Sequence, residues 1–379
     1  MGEATSVSAA LASYDLRRLT LACIGSHSAL DVCLGAKRQG LRTLVIAAPG
    51  REKTYTDAYR SRHDGTGCVD EVLMVDHFAE VLKPELQNEM LRRNVIFVPN
   101  RSFEVYARER YTYDEIERGM LVPMFGSRRL LRAEERDEAN NQYELLDEAK
   151  IRYPRRLPGP DAIDGLTLIK AQHAKVKFER AFFLASNPAQ YRKRASHYLA
   201  SGIVSEQGLA AAVFEEYVLG PTLNLNFFWS PILGELELLG TDTRRQTNID
   251  GIRSLLAIDQ APLGAAFSAS MEEAGHIAAT VVESMLEQAF DLGARFTAAA
   301  RKLYPPGVIG PFALQCVIAA GPPKSFVVYD VSLRIPGSPG TKYTPYSAYR
   351  WGRELSVGER IAKEVVMAKD SGRLPDVCT

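Results

Sequence analysis

The sequence predicts an α/β N-terminal part built on a Rossmann-like parallel sheet, followed by a larger α+β part rich in hairpins. Two observations carry this reading. In the first third, short apolar runs ("LTLACIG", "RTLVIAAPG", "CVDEVLMVD", "VIFVPN") alternate with segments of helical spacing ("SALDVCLGAKRQG", "PELQNEMLRRN"). After about residue 160, alternating strand pairs joined by Gly/Pro turns take over, as in "LNLNFFWSPILGELELLGTDTRR" and "GPFALQCVIAAGPPKSFVVYDVSLRIPG". A chain of 379 residues is long enough for two or three cores.

Each element follows in order. The first strand, Leu19–Gly25, ends on Gly-Ser-His, and a helical pattern starts at once and stops at Gly40. Ligands of parallel sheets sit beyond the carboxyl ends of the strands, where the amides opening the next helix can meet an anion. Gly25, Ser26 and His27 therefore occupy a binding position. The same residues also suit a plain helix start in which Ser26 or Ser28 caps and the imidazole packs. Gly50–Gly67 reads as a polar loop rich in Arg and Tyr, and the fourth strand runs into "VPNRSF", which places Asn100, Arg101 and Ser102 at the same sheet edge. Residues 128–150 read as one long charged helix and "RYPRRLPGP" as a linker. "LTLIKAQHAKVKFERAFFLAS" reads as a β-hairpin with Lys170 ending its first strand, and "FEEYVLG" ends another strand. A long helix is expected over about 272–304, and "SVGERIAKEVVMAKDSG" forms a tail helix.

Composition narrows the chemistry. Lys+Arg and Asp+Glu are both 46, so a sequence-independent grip on nucleic acid or an anionic membrane is not expected. Five cysteines without CxxC or Cys/His spacing read as reduced thiols of a cytoplasmic protein. The first 15 residues lack a signal-peptide pattern, and no apolar run reaches membrane-spanning length.

The second half reads as a nucleotide clamp. A strand-end ammonium at Lys170 can reach phosphate oxygens, and "EEYVLG" offers acceptors for an adenine edge and ribose hydroxyls. Gln315 and Asp330 lie fifteen residues apart around one hairpin turn, where both oxygens can face one Mg²⁺. Taken singly, the lysine also suits a solvated charge, and the Gln/Asp pair a cross-strand hydrogen bond.

The order of these features resembles the ATP-grasp ligases, and among them the archaeal formate-dependent synthetases of purine (IMP) biosynthesis. The segments "GSHSALDVCLGAK", "VPMFGSRRLLR", "FEEYVLG", "ELELLGTDTRRQTNIDG", "PPGVIGPFALQ" and "VSLRIPG" carry the resemblance, from about residue 16 to the C-terminus. It implies an N-terminal tail over 1–15, a pre-ATP-grasp substrate domain over 16–122, and an ATP-grasp domain over 123–379. The last would divide into a hairpin lid at about 161–220 and a catalytic part at about 221–379. It implies that formate attacks the γ-phosphate of ATP to give formyl phosphate, which the exocyclic amine of AICAR takes up to form FAICAR, with Mg²⁺ or Mn²⁺ present. Carried over by position, Gly25, Ser26, His27, Ser102 and Asn248 would meet the imidazole nucleotide. Lys170, Glu215, Glu216, Tyr217 and Val218 would line the ATP cleft, Arg128 or Arg129 would lie near the phosphates, and Gln315 and Asp330 would hold the metal. His27 and Arg334 would be the catalytic pair, Arg334 near the transferred group. The family forms assemblies, so a homo-oligomer, or a hetero-oligomer with a paralogue, is implied, with "YSAYRW" offering aromatics for a contact.

The sequence departs from that family at three places. After Lys170 it has "AQHAKVKFERAFF", with no glycine between Ala171 and Phe183, where the family has a glycine- and arginine-rich loop. Backbone amides there cannot easily be turned onto one anion, and Lys175 and Lys177 would supply charge instead. Asp330 stands for the family's glutamate, one methylene shorter. Asn100-Arg101 stand for His-Gly, and Pro336 and Pro339 stiffen a segment that is glycine-rich in the family. An active synthetase, a paralogue that keeps the pocket without turnover, and a ligase for another acid and amine all remain open at this point.

Overall fold

The computed structural model describes residues 3–136, 138–171, 181–245, 255–260, 274–337 and 339–379. Strands β1 (Thr20–Ile24), β2 (Arg42–Ala47), β3 (Glu71–Met74) and β4 (Val95–Phe97) form a parallel sheet in the order β3-β2-β1-β4. Alternate residues of the apolar strands feed two cores. Leu21, Cys23, Val45 and Ile96 pack on one side, and Ala22, Ile24, Leu44, Ile46 and Phe97 on the other. Burial on both faces is what continuous apolar runs in a parallel sheet require.

The antiparallel part has two sheets. The smaller, in the order β5-β8-β6-β7, joins β5 (Arg156–Leu157), β6 (Thr167–Ala171), β7 (Ala181–Ala185) and β8 (Val213–Glu216). The larger, in the order β11-β10-β9-β12-β13, joins β9 (Thr222–Ser230), β10 (Glu235–Arg245), β11 (Gly275–Ala278), β12 (Gly310–Ala319) and β13 (Ser325–Ser332). One face of the larger sheet is apolar. There Phe227 and Phe312 stack with Phe296 of the helix Leu286–Leu303. The other face turns toward the parallel sheet and carries the polar residues described below.

The two parts are joined through helices whose backbones touch. The helix Ala29–Arg38, which follows β1, crosses the C-terminal helix Val357–Asp370 at Gly35 and Gly358. A Cβ on Gly35 would lie 2.4 Å from the Glu359 nitrogen, and one on Gly358 would lie 2.3 Å from the Asp31 carbonyl oxygen. Asp31 Oδ2 accepts the Gly358 N–H at 2.8 Å, so the crossing is hydrogen-bonded as well as packed.

Several expectations are corrected. Residues 128–150 do not form one helix: a 3-10 segment Arg128–Glu134 stops, and a separate helix Gln142–Glu148 begins. Asn140 takes φ 55°, and Asn141 with Glu144 makes a capping box that starts the second helix. The helix expected over 272–304 begins only at Leu286, because Gly275–Ala278 pairs with the edge of β10. The Val281 N–H then donates to the Tyr346 hydroxyl at 2.9 Å. The segment read as a tail contains a helix, Glu3–Ala12, whose Val7 and Leu11 are buried. Within Gly50–Gly67 lies one helical turn, Thr54–Ala58. "YSAYRW" forms a short helix that turns Tyr346 inward and bonds Trp351 to Glu237, leaving Tyr349 exposed. All five cysteines are buried with free thiols, and among the described residues no helix is long and apolar enough to cross a membrane.

Candidate functional site

A crevice opens where the C-terminal ends of the parallel strands face the polar side of the larger sheet. Register places Asp242, Asn224, Gln315 and Asp330 side by side across β10, β9, β12 and β13. The row and its neighbours Asn226, His276, Ser332, Arg334 and Gly337 line the crevice, Asp330 excepted. Gln315 Nε2 donates to Ser332 Oγ at 3.3 Å, while its Oε1 is buried without a hydrogen-bond partner among the described residues. An unsatisfied buried acceptor normally costs ~1–3 kcal/mol, so its persistence beside a cross-strand carboxylate fits a hard divalent cation. The Asp330 carboxylate itself is engaged by Arg136 Nη2 at 3.0 Å.

The end of β1 is built by three side chains. Asn100 accepts the Phe103 N–H at 3.1 Å, capping the helix Arg101–Arg108. Its Nδ2 donates back to the carbonyls of Ile24 and His27 at 2.9 and 3.0 Å. Ser28, at φ 63°, does not cap the helix; its hydroxyl donates to the Pro336 carbonyl at 2.6 Å and ties the loop to the segment after β13. His27 is exposed, and a Cβ placed on Gly337 would lie 3.6 Å from His27 Nδ1 and 4.0 Å from His276 Nε2. The two imidazoles thus flank one backbone position. Gly25 has a different reason from the one expected: a Cβ there would meet the Tyr55 ring at 2.7 Å, so the glycine accommodates the tyrosine-rich loop. Ser26 is half-buried beside it, and Ser102 is buried in the first turn of the Asn100-capped helix.

Arg334 sits in a charged cluster under the crevice. Its Nη2 donates to Glu134 Oε2 at 3.1 Å, and its Nε lies 3.6 Å from Glu104 Oε2. Arg101 donates to the same Glu104 oxygen at 2.8 Å. Burial pushes the Glu134 carboxyl up to about 7, with the Glu104 charge adding to it and Arg334, Arg101 and the Leu333 N–H opposing.

The predicted ATP residues divide. Lys170 and Glu215 are both buried and paired, Nζ to Oε2 at 2.5 Å, and Lys170 Nζ lies 3.5 Å from the Tyr329 carbonyl on β13. Burial lowers the Lys170 ammonium and the Glu215 charge opposes that. Glu215 also accepts from the Tyr143 hydroxyl on the helix Gln142–Glu148, so its buried carboxylate is shared between Lys170 and Tyr143. Glu216 accepts the Arg155 N–H at 3.4 Å, and Tyr217 and Val218 are half-buried beyond the strand end. Arg128 is a correction. Its Nη1 donates to the carbonyls of Glu117 and Met120 at 2.8 and 2.7 Å, and its Nη2 to that of Thr379. These donors hold backbone segments together, which takes the guanidinium out of reach as a phosphate ligand. Lys175, Lys177 and Asn248 lie outside the described residues.

Sequence reasoning missed Asn224, Asn226, Asp242, His276 and Arg136. A signal existed: polar residues recur every second position in otherwise apolar strands, as in "LNLNFFW", which marks one wet face. His276 gave none, because its strand was read as helix.

Comparison with known proteins accounts for nearly the whole chain. Residues 190–379 match the family described as "Domain of unknown function (DUF1297)", and residues 21–157 match "Protein of unknown function (DUF1246)". A Methanopyrus kandleri protein named 5-formaminoimidazole-4-carboxamide-1-(beta)-D-ribofuranosyl 5'-monophosphate synthetase is 36% identical over 369 residues, 97% of each chain. The protein of the same name from Methanocaldococcus jannaschii is 36% identical over 94% of this chain and 93% of its own. Among solved structures, the IMP biosynthesis protein PurP of Thermococcus kodakaraensis superposes with a TM-score of 0.68 at 28% identity, covering 95% of this chain and all of the other. An ADP complex of purK, N5-carboxyaminoimidazole ribonucleotide synthetase, superposes at 0.55 with 9% identity over 89% and 78% of the two chains, a likeness of fold alone.

Proposed function

This chain belongs to the 5-formaminoimidazole-4-carboxamide ribonucleotide (FAICAR) synthetase family of ATP-grasp ligases, and from that premise we propose that it formylates AICAR with formate and ATP, releasing ADP and phosphate. The observation that carries the proposal is a collinear match to the Methanopyrus synthetase at 36% identity, spanning 97% of both chains. The crevice supports it: two walls of opposite origin meet at one place, as transfer between two bound substrates needs. Formate would attack the γ-phosphate, and the AICAR amine would then displace phosphate from the formyl phosphate.

The residues have proposed roles. Gln315 Oε1 and the Asp330 carboxylate would hold Mg²⁺, with Arg136 sharing Asp330; the ion, when bound, neutralises phosphate charge. Lys170 would donate to phosphate oxygens from a buried site that Glu215 keeps charged. His27 and Ser102, with Gly25 and Ser26 shaping the loop, would orient the imidazole nucleotide, and Arg334 would stabilise negative charge at the transferred carbonyl oxygen. Asn248, Lys175 and Lys177 would complete the nucleotide contacts. The protein would work as an oligomer in the cytoplasm.

The test is direct. Purified protein with AICAR, formate, ATP and Mg²⁺ is expected to form ADP and FAICAR in equal amounts, dependent on every component. AICAR binding without ADP release above background would overturn the catalytic reading, and ADP release with another acid in place of formate would reassign the substrate.

A further inference from the structure

The geometry points to Asn226 as the residue that recognises the reacting amine of the imidazole nucleotide, its amide oxygen accepting one amine N–H; the inference rests on the function proposed above. Asn226 lies within β9 and is 1% exposed, yet it lines the crevice. Its Nδ2 donates to Asp242 Oδ1 at 2.6 Å and to the Gly240 carbonyl at 3.3 Å. Both partners are acceptors, so they dictate which end of the amide is nitrogen and turn Oδ1 the other way. That oxygen accepts no hydrogen bond among the described residues. A buried side chain with an open acceptor asks for a donor from a ligand.

The surroundings select that donor. On β12 the register partner of Asn226 is Ala313, whose methyl is too short to cover the amide and which lines the same crevice. On β10 the partner is Gly240, where a Cβ would lie 2.5 Å from the Thr341 carbonyl oxygen, so that flank is closed. The opening therefore lies over Ala313. Asn224, two residues along β9, belongs to the row with Gln315 and Asp330, about 7 Å from Asn226 at ~3.4 Å per residue. Asn226 is thus too far to share a cation held by that row, whose ligands must lie within ~2.1 Å of the ion. An acyl phosphate formed at the row, plus a near-attack gap of ~3–3.5 Å, spans the interval. The nucleotide carries N–H donors on its amine and on the adjacent carboxamide, and of these only the amine has to meet the formyl carbon. Bonding one amine N–H to Asn226 leaves the nitrogen lone pair to face that carbon. Asp242 is the positioning residue: fully buried, it holds Asn226 through one oxygen and accepts Asn224 Nδ2 at 2.8 Å through the other. Donation to a carboxylate also strengthens the amide oxygen as an acceptor.

Two ligands test this on the full-length protein: AICAR, and the same ribonucleotide with hydrogen in place of the amine. By calorimetry the unaltered protein is expected to bind the amine-free nucleotide ~10–100-fold more weakly. Asn226→Ala should lose a similar factor for AICAR and bind the two nucleotides within about twofold of each other, because the acceptor that tells them apart is gone. Formohydroxamate formed from formate, ATP and hydroxylamine without AICAR should stay within about threefold of the unaltered protein. Discrimination that survives in Asn226→Ala would overturn the assignment and leave Asn226 only a partner of Asp242. Should that variant fail to fold, Asn226→Ser repeats the comparison, since its hydroxyl can still donate to Asp242. Equal affinity of the unaltered protein for the two nucleotides, with FAICAR still formed, sinks this inference alone. If the unaltered chain forms no FAICAR and binds neither nucleotide, the function itself fails, and the amine contact with it.

Discussion

Glu134 makes a prediction whose size can be worked out. Its carboxyl is buried between Arg334, Arg101 and Glu104, and one oxygen accepts the Leu333 N–H at 2.6 Å. In the folded chain it titrates at about 7, against 4.5 for the free side chain. A carboxyl raised on folding contributes its stability fully below the unfolded value and loses it as pH climbs through the folded one. The window therefore runs from about 4.5 to 7, and at ~1.4 kcal/mol per tenfold change in acidity the loss across it is about 3 kcal/mol. Glu134→Gln keeps an oxygen for the Leu333 N–H and cannot titrate. Urea unfolding of both proteins at fixed ionic strength, followed by tryptophan fluorescence, isolates the titration of this cluster because groups remote from it cancel in the difference. The stability of the unaltered chain minus that of Glu134→Gln should fall by about 3 kcal/mol between pH 4.5 and 8. A difference that stays flat, or rises with pH, would refute the placement of this carboxyl in a desolvated cluster.

Four further outcomes are expected. Glu215→Gln strips the counter-charge from the Lys170 ammonium and should destabilise by ~3–5 kcal/mol, read as a lower urea midpoint. Gly35→Ala drives a methyl into the Glu359 nitrogen 2.4 Å away and should cost at least ~1–3 kcal/mol, whereas Gly40→Ala, with open space but φ 75°, should lose less than that in the same melt. Gln315→Met removes the orphaned acceptor, so metal-free stability should rise by about 1 kcal/mol while Mg²⁺-dependent ATP binding by calorimetry is lost. His27→Ala should leave the urea midpoint nearly unchanged, since the ring is exposed, while raising the AICAR KM; an unfolded variant would show a packing role instead.

Legibility followed the range of the interactions. The parallel sheet could be read because β1, β2 and β4 announce themselves locally, by runs buried on both faces and a glycine or proline stop, and the half-exposed edge strand β3 continues their alternation with helices. The Gln315–Asp330 pairing was readable for the same reason, since one hairpin sets the register. What failed depended on distant partners. Nothing near Gly275–Ala278 says that β10 needs an edge partner, so a helical pattern was extended across it and His276 was lost with it. Position in the family pattern places Arg128 near the phosphates and says nothing of the carbonyls that occupy it, which belong to residues 117, 120 and 379. Gly25 looked like room for a ligand because Tyr55, which fills that room, lies thirty residues on. The break at Asn140-Asn141 was visible as a capping box, but the charged residues around it obscured it.

The crossing at Gly35 and Gly358 sets which parts of the molecule can shift. With no side-chain layer between the two backbones there is nothing to slide on, and the C-terminal helix is bolted to the large sheet through Arg360 with Glu237 and Glu364 with Ser230. The His27 loop and the Gln315–Asp330 row therefore travel as one anvil. The small sheet is tied to the rest by single side chains: Lys170 Nζ lies 3.5 Å from the Tyr329 carbonyl, and Glu215 accepts from the Tyr143 hydroxyl.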